Sequence, residues 1–319
     1  MIVDLLYPIH GIPKPGELTT ITADAARSIG GFLCNDIVDL AKLDPTMPLV
    51  ALGRVGDDAE GKFIRQKMAE CKNIDMQYVK TEGSTSFTLV MADEITKQRT
   101  FYHNRGGNAK FNEEDIPWDK LDVDMLHIGY ILLLDMFDAE DLQYGTAMAR
   151  FLHQVQESGI KTSIDVVSDS SADYGRKIIP ALKYCNYVII NEIECCNIFK
   201  LKAYDAQGNL DKDAVKAAME KMAQCGVSDK IVIHSKRISF LLDVRSGVFT
   251  EVPSLDIPKQ EIKGSVGAGD AFCAGCLYGI YNEFSDMQIL EFASAAAACS
   301  LFAANSVDGM KSKSEILAL

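Results

Sequence analysis

The sequence predicts an α/β fold in which helices cover both faces of a mainly parallel sheet. Short β-rich runs alternate with segments of helical periodicity along most of the 319 residues. Such alternation is typical of strands that are buried on both faces. One segment departs from it, because residues 84–104 show a two-residue period around a polar turn. We therefore expect one domain over residues 1–319, with a small β lid formed from about 5–22 and 84–104.

The predicted elements follow one another in a regular order. Strands are predicted at residues 48–52, 125–128, 164–167, 187–190 and 230–233. Helices are predicted at residues 58–71, 139–158 and 211–225, and a glycine follows each of the last two. The lid hairpin is predicted at residues 85–91 and 99–103. In parallel sheets ligands bind beyond the carboxyl ends of the strands, so we expect the functional residues there.

Composition and charge argue against several classes of function. The formal net charge is -13, and the scattered lysines and arginines form no basic patch, so no nucleic-acid partner is expected. No apolar run approaches the length of a membrane span, and the first residues lack a basic and apolar leader. The nine cysteines lack a framework spacing and are interpreted as reduced, buried thiols. These features predict a cytoplasmic protein with no membrane partner.

Two pairs of cysteines lie close enough in the sequence to suggest redox or metal sites. Cys195 and Cys196 are adjacent, and Cys273 and Cys276 are three residues apart. Neither pair has a second Cys or His pair at zinc spacing, so the sequence favours buried structural thiols.

The segment from 263 to 275 carries the strongest chemical signal. Gly267, Ala268 and Gly269 come just before a helix that is predicted to begin near Asp270. Small residues there let backbone N–H groups approach an anion at the positive end of the helix dipole. A carboxylate beside an anion site is unfavourable unless it has a use, such as accepting a proton from an attacking hydroxyl. The alternative is that Asp270 only caps its helix.

Other short motifs accompany this segment in a fixed order. They are P-K-P-G-E at 13–17, Gly30 and Gly31 followed by Asn35, G-R-V-G-D-D at 53–58 with Gly61, and N-E-I-E at 191–194. Together with G-A-G-D at 267–270, this ordered set resembles the ribokinase-like (PfkB) family of carbohydrate kinases. The resemblance implies a ribokinase-like three-layer α/β/α sandwich with a small β lid. It also implies transfer of the γ-phosphoryl group of ATP to a hydroxyl of a small sugar-like substrate.

The resemblance assigns roles to individual residues. Asp270 is the expected general base, and the amides of Gly267, Ala268 and Gly269 form the expected anion hole. Sugar contacts are expected at Asp4, Gly30, Gly31, Asn35 and Arg105. Nucleotide contacts are expected at Asn191, Ser235, Lys236, Gly267, Gly269 and Asn305. Asn191 and Glu194 are expected to hold Mg²⁺ through water.

The residue types agree with these roles, although ordinary structural roles remain open. Asp4 and Asn35 can bind sugar hydroxyls, and Glu194 with Asn191 supplies the hard oxygen ligands that hydrated Mg²⁺ prefers. The alternatives are that Asn35 is a helix-surface residue and that Glu194 is a solvated acid in a first helical turn.

The sequence departs from the family pattern at four places. Gly264 stands where the family has an Asp that helps to bind a monovalent cation, which counts against potassium activation. The 234–239 loop lacks the family's two glycines, so Lys236 could contribute charge to the nucleotide, obstruct ATP or simply be solvated. Asp165 aligns with the family's D-x-N but lacks its polar companion. Finally, either the true start lies upstream of Met1, or residues 2–6 provide a shortened central strand.

The lid residues do not identify the substrate. His103 and Arg105 are the cationic candidates near the predicted sugar pocket. Arg105 could pair with a carboxylate or phosphate on the substrate, or it could stabilise the transferring phosphoryl group. The third alternative is a structural role, either as a surface salt bridge or in orienting the lid. A neutral furanose or ketose is the default substrate, with an acid sugar or a nucleoside as alternatives.

Two further hypotheses concern the assembly and the activity. Lid hairpins with an apolar face often pair edge to edge, which suggests a homodimer through Phe87, Leu89 and Met91. The altered 234–239 loop leaves a competing function, namely a sensor that binds sugar or nucleotide without transferring phosphate. The intact G-A-G-D segment counts against the sensor, because a binding protein has no need of that carboxylate.

Overall fold

The computed structural model describes residues 1–96, 98–168 and 173–319. The strands in these residues are β1 Ile2–Ile9, β2 Ala26–Gly30, β3 Leu49–Val50, β4 Gly53–Val55, β5 Ile74–Asp75, β6 Val79–Thr81, β7 Ser86–Asp93, β8 Arg99–Asn104, β9 Met125–Ile131, β10 Glu140–Asp141, β11 Gly145–Thr146, β12 Lys161–Val166, β13 Tyr187–Asn191, β14 Lys230–His234, β15 Ile238–Asp243 and β16 Val248–Pro253. The α-helices are α1 Phe32–Leu43, α2 Ala59–Met68, α3 Ala147–Glu157, α4 Tyr174–Leu182, α5 Glu192–Ile198, α6 Lys212–Gln224, α7 Ala268–Tyr281, α8 Asp286–Ser300 and α9 Lys313–Ile316.

A six-stranded sheet forms the centre of the molecule. Its strand order is β16-β15-β14-β13-β12-β9, and the last four of these strands are parallel to one another. The β14-β15-β16 end is antiparallel. The predicted strands at 125–128, 164–167, 187–190 and 230–233 all lie in this sheet, which confirms the α/β fold with a mainly parallel sheet.

Helices cover both faces of this sheet. Along β13, Val188 and Ile190 pack into a core cluster with residues of α3, α4, α5 and α6. Tyr187 and Ile189 point the other way and join a cluster with residues of α7 and α8. Because the side chains of a strand alternate between its faces, an unbroken apolar run can be buried on both sides. This arrangement confirms the predicted three layers.

The predicted helix at 139–158 is wrong in its first half. The helix α3 begins at Ala147, and the Oγ1 of Thr146 caps it by accepting a hydrogen bond from the amide of Ala149 at 3.1 Å. The preceding residues form the β10-β11 hairpin, and Leu142 is fully exposed. Gly145 has a φ of 86°, which a helix cannot contain. The Gly-Thr pair therefore marks the true start, although Leu142 fits the helical spacing.

A second sheet of four strands has the order β2-β1-β7-β8. Its β7-β8 hairpin confirms the two strands predicted for the lid. The expectation that residues 2–6 provide a shortened central strand is wrong, because Ile2 through Leu6 pair with β2 and β7 in this smaller sheet. The division of the chain into one domain with an embedded lid stays a prediction.

The G-R-V-G-D-D motif connects α2 to the first strand of the lid hairpin. The Oδ1 of Asp58 caps α2 by accepting from the Gly61 amide at 2.8 Å. The two oxygens of Asp58 also accept from the amide and the hydroxyl of Thr85, at 2.8 and 2.6 Å. Thr85 directly precedes β7, so this carboxylate fixes the point at which the chain enters the lid.

Of the described helices, none combines the length and the apolar character that crossing a bilayer requires.

Candidate active site

A cleft of about 260 Å³ opens where β9, β12, β13 and β14 end. This is the edge of a parallel sheet at which ligands are expected. The cleft is lined by Tyr130, Asp165, Val166, Val167, Ser168, Ile189, Asn191, Glu194, His234, Gly269, Asp270 and Cys273. The structure thus brings together the G-A-G-D segment and the N-x-x-E motif, which are far apart in the sequence.

The amino terminus of α7 opens on this cleft. Gly267 precedes the helix with a φ of 81°, and a Cβ at this position would lie 2.5 Å from the Cβ of Ser306. Both facts require glycine. The amides of Ala268, Gly269 and Asp270 belong to the first helical turn, where N–H groups have no intrahelical partner. They are therefore available to an anion, as the sequence predicts.

Two hydrogen bonds position the carboxylate of Asp270. The Nδ2 of Asn35 donates to Oδ2 of Asp270 at 2.7 Å, and the Oγ of Ser306 donates to Oδ1 of Asn35 at 2.7 Å. Asn35 is only 3% exposed, so the alternative of a helix-surface residue is wrong. The described contacts make Asn35 a residue that orients Asp270, while its contact with substrate stays a prediction.

The surroundings of Asp270 raise its pKa to about 6. Removal from water is the main cause, and the negative charge of Asp4 adds to it, whereas the hydrogen bond from Asn35 lowers the pKa. The carboxylate is therefore ionised at neutral pH and yet basic enough to accept a proton.

Asp4 on β1 lies against the glycine pair that begins α1. A Cβ on Gly30 would be 2.1 Å from Oδ2 of Asp4, so any side chain at residue 30 would displace the carboxylate. Gly31, the N-cap of α1, has a φ of 75°, and a Cβ there would meet Ile2 at 2.6 Å. Burial raises the pKa of Asp4 to about 6, while Thr88 and Arg99 lower it. The structure thus places Asp4, Gly30 and Gly31 together.

Sequence analysis missed one cationic side chain of the lid. Arg99 on β8 acts on the charge of Asp4, so the expectation that His103 and Arg105 are the cationic candidates near the pocket is incomplete. Among the described residues, the buried Nη1 of Arg99 and Nε2 of His103 have no hydrogen-bond partner. Arg105 forms an ion pair with Asp135, as one of its alternatives predicted. A substrate contact of Arg105 stays a prediction.

The N-x-x-E motif closes a capping box at the start of α5. The amide of Asn191 donates to Oε2 of Glu194 at 3.0 Å, and the amide of Glu194 donates to Oδ1 of Asn191 at 2.8 Å. Glu194 is 4% exposed, so the alternative of a solvated acid is wrong. Its Oε1 accepts from the hydroxyl of Ser168 at 2.7 Å. Ser168 thus joins the N-x-x-E motif, while the missing polar companion of Asp165 stays a prediction.

Three carboxylates converge in the cleft. Burial raises the pKa of Glu194 to about 7. Burial and the charges of Glu194 and Asp270 raise the pKa of Asp165 well above its usual range. In the described part of the chain, no lysine or arginine lines this cleft. Oxygen donors that lack a cationic side chain fit a hydrated Mg²⁺, so Asp165, Asn191 and Glu194 are suited to that ion.

The remaining nucleotide candidates lie outside this cleft. The hydroxyl of Ser235 donates to the Ile238 carbonyl at 2.7 Å within the β14-β15 turn, where Lys236 is exposed. Ser235 and Lys236 line a separate cavity of about 440 Å³. The side chain of Asn305 is bonded within its own turn to Asp308, at 2.9 and 2.7 Å. Contacts of these residues with the nucleotide stay predictions.

Gly264 is enclosed by backbone. A Cβ at this position would lie 2.9 and 3.0 Å from the carbonyl oxygens of Ala303 and Ala304. The Asp that the family has at this point therefore has no room in this chain.

Comparisons with known proteins agree with this fold. The family model described as pfkB family carbohydrate kinase matches residues 1–313. A ribokinase of Arabidopsis thaliana is 23% identical over 99% of this chain and 78% of its own length. A 5-dehydro-2-deoxygluconokinase of Geobacillus kaustophilus is 23% identical over 92% of this chain and 85% of its own.

Solved structures show the same fold. The ribokinase of Thermotoga maritima has a TM-score of 0.78 at 18% identity and covers 99% of this chain and 95% of its own. The ribokinase of Arabidopsis thaliana, solved with ribose and ATP, has a TM-score of 0.77 at 20% identity with the same coverage.

The raised pKa of Glu194 predicts a pH-dependent effect of Glu194→Gln. The folded state binds this proton more tightly than the unfolded chain does, so stability is lost as pH rises from about 4.5 to about 7. Without divalent cations, Glu194→Gln should raise the free energy of unfolding by about 2 kcal/mol at pH 8 and have little effect at pH 5. Urea denaturation at the two pH values measures this difference.

Glutamine can still form the capping box, so the measured change in the free energy of unfolding does not include the loss of a helix cap. Glu220→Gln on α6 is the control, because residue 220 is exposed. An equal effect of Glu194→Gln at both pH values would contradict the prediction.

Proposed function

The chain belongs to the pfkB family of carbohydrate kinases, and we propose that Asp270 is the general base of its phosphoryl transfer from ATP to a sugar hydroxyl. One observation carries this proposal. A carboxylate with a pKa of about 6 stands in the first turn of α7, beside free amides, and Asn35 holds it in one orientation. A residue that only capped the helix would not need a second side chain from α1 to orient it.

The geometry supports a division of labour in this transfer. Asp270 accepts the proton of the attacking sugar hydroxyl, and the amides of Ala268 and Gly269 stabilise charge on the transferring phosphoryl group. Asp165, Asn191 and Glu194 would hold Mg²⁺, which when bound neutralises the phosphate groups of the nucleotide. Without such a cation, phosphates would meet the three carboxylates of the cleft directly.

Asp4 and the glycine pair are the proposed sugar-binding residues. The carboxylate of Asp4 can accept hydrogen bonds from hydroxyls, and Gly30 leaves the space that this carboxylate occupies. A neutral furanose or ketose fits this arrangement.

A sugar acid is the second candidate, and Arg99 favours it. Its buried Nη1 has no hydrogen-bond partner among the described residues, so a substrate carboxylate could satisfy it. Curated relatives that act on 5-dehydro-2-deoxygluconate and 2-dehydro-3-deoxygluconate, by their names, support this class.

A cytoplasmic location and a lid-mediated homodimer complete the proposal. All nine cysteines lie in the described part of the chain and are free thiols, which fits a reducing compartment. Phe87, Leu89 and Met91 alternate on β7 and are half-buried, so they could contribute apolar surface to a second copy.

An assay of ADP release over a panel of acceptors tests the kinase function. We expect Mg-ATP-dependent turnover with at least one neutral sugar or sugar acid, and none with nucleosides. The panel should contain ribose, fructose, 2-dehydro-3-deoxygluconate and adenosine. No turnover across the panel, together with measurable ATP binding, would instead favour the sensor.

Substitution of Asp270 tests the base. Asp270→Asn should lower kcat by roughly 10²–10⁴, the usual contribution of a positioned base, because the amide cannot accept the proton. Binding of ATP and sugar, measured by calorimetry, should stay within a few-fold of wild type. A variant with near-normal kcat would remove Asp270 from this role.

Asn35→Ala tests whether Asn35 sets the basicity of Asp270. Its hydrogen bond favours the carboxylate, so its loss should raise the pKa of Asp270 and move the acid limb of the kcat profile, near pH 6 in wild type, to higher pH. The kcat profile should be measured at saturating sugar. This limits the contribution of Asp4 to the profile, because the pKa of Asp4 is also about 6.

Asn282→Ala is the matched control for this experiment. Asn282 lies at the far end of α7, where its Nδ2 donates to the carbonyl of Tyr278 at 2.8 Å. A purely structural role of Asn35 would lower kcat at every pH and leave the midpoint of the acid limb in place.

A further inference from the structure

Beside the catalytic cleft, three side chains from three different elements converge on one buried point. Asp36 lies on α1, His127 on β9 and Cys273 on α7, and one ligand atom from each lies within 4.8 Å of the other two. We propose that this cluster is a zinc site, which ties α1 to β9 and α7, two elements that line the catalytic cleft.

The measured separations are close to those of a tetrahedral zinc site. The Sγ of Cys273 is 3.4 Å from Nε2 of His127, and the same nitrogen is 3.6 Å from Oδ2 of Asp36. Zinc bonds of about 2.3 Å to sulfur and 2.0 Å to nitrogen or oxygen place tetrahedral ligand atoms about 3.3–3.5 Å apart. The third edge, between Asp36 and Cys273, is at most 4.8 Å and needs only a small contraction.

Asp36 gives an independent reason to expect a ligand. Its side chain is 3% exposed, and neither carboxylate oxygen has an oxygen or nitrogen donor within 3.5 Å among the described residues, although the weak thiol donor of Cys273, itself in the cluster, interacts with it. The nitrogen of His127 at 3.6 Å lies just beyond that limit. A buried carboxylate without a hydrogen bond is unfavourable, and such groups are usually paired or coordinate a metal.

His127 is oriented as a metal ligand should be. Its Nδ1 lies 2.8 Å from the Oγ of Ser163 on β12, which leaves Nε2 directed towards the other two ligands. Metal-binding histidines almost always engage their second nitrogen in this way, since the outer contact fixes the ring orientation.

The charges around the cluster also favour a cation. A carboxylate and a thiolate together offset the two positive charges of zinc, and binding displaces the thiol proton to solvent. Asp270, Asp165 and Asp39 are the other acids that act on Asp36, and each of them, when ionised, raises its pKa. A cation at this point would therefore reduce repulsion among several buried acids.

The ligand set selects the metal and gives it a route of entry. Thiolate, imidazole and carboxylate together are typical of Zn²⁺, whereas Mg²⁺ avoids sulfur and prefers an all-oxygen site. Three protein ligands leave a fourth position for water. Cys273 lines the catalytic cleft, so solvent and metal can reach the cluster from that side.

Cobalt titration of the full-length, chelator-treated protein tests this proposal without any measurement of activity. We expect one Co²⁺ per chain, with visible absorption of a tetrahedral ion and a thiolate charge-transfer band in the near ultraviolet. Added Zn²⁺ should abolish both signals, and millimolar Mg²⁺ should not. Ser163→Ala should weaken binding about 10- to 100-fold, the usual effect of losing an outer contact.

Two substitutions on α7 separate the site from adventitious thiol binding. Cys273→Ser should remove the charge-transfer band, whereas Cys276→Ser should retain it, because Cys276 is equally buried on the same helix but lies outside the cluster. His127→Gln replaces Cys273→Ser if circular dichroism shows that the latter is unfolded. The absence of the band in wild type, or its survival in Cys273→Ser, would overturn the proposal.

Discussion

The gathering of acidic side chains around Asp270 is the constraint on which the rest of the site depends. Asp4, Asp165, Glu194 and Asp270 are partly or fully withdrawn from water, and each has a raised pKa. Desolvation and mutual repulsion both oppose ionisation. The fold tolerates these acids because hydrogen bonds hold Asp4, Glu194 and Asp270, and because a cation bound at the cleft can offset negative charge there.

Backbone geometry makes this arrangement possible. Gly30 lies directly beneath the carboxylate of Asp4, and Gly267 lies against Ser306. At both positions a methyl group would collide with a neighbouring side chain. Only glycine therefore allows the backbone to pack this closely against these groups. The same closeness leaves room for a ligand only on the open side of the cleft.

The sequence predicted the elements and the motif residues because both are local signals. It did not predict Ser306, although this residue holds Asn35, because the two positions are 271 residues apart and serine has no marked pattern. It also misplaced the start of α3, where apolar spacing outweighed the Gly-Thr signal. One of its two alternatives placed residues 2–6 in the central sheet, which is wrong, since an apolar run does not specify its pairing partners.

The cysteines illustrate the same limit. Zinc-binding sequence patterns consist of ligand pairs that lie close together in the sequence. Cys273 and Cys276 do not match such a pattern, because no second Cys or His pair accompanies them. The structure instead pairs Cys273 with His127, which is 146 residues away, and with Asp36 on a third element. Only the sheet topology brings α1, β9 and α7 together, so no local pattern could indicate this cluster.

The link between Asn35 and Asp270 joins the two halves of the proposed reaction. Helix α1 begins at the glycine pair beside Asp4, and Asn35 lies one turn further along it. The helix therefore connects the proposed sugar-binding residues to the hydrogen bond that lowers the pKa of Asp270. A substrate that shifts the start of α1 must also alter this bond, because one turn of helix deforms little. We therefore expect binding at the glycine pair and proton acceptance at α7 to be coupled through this short helical segment.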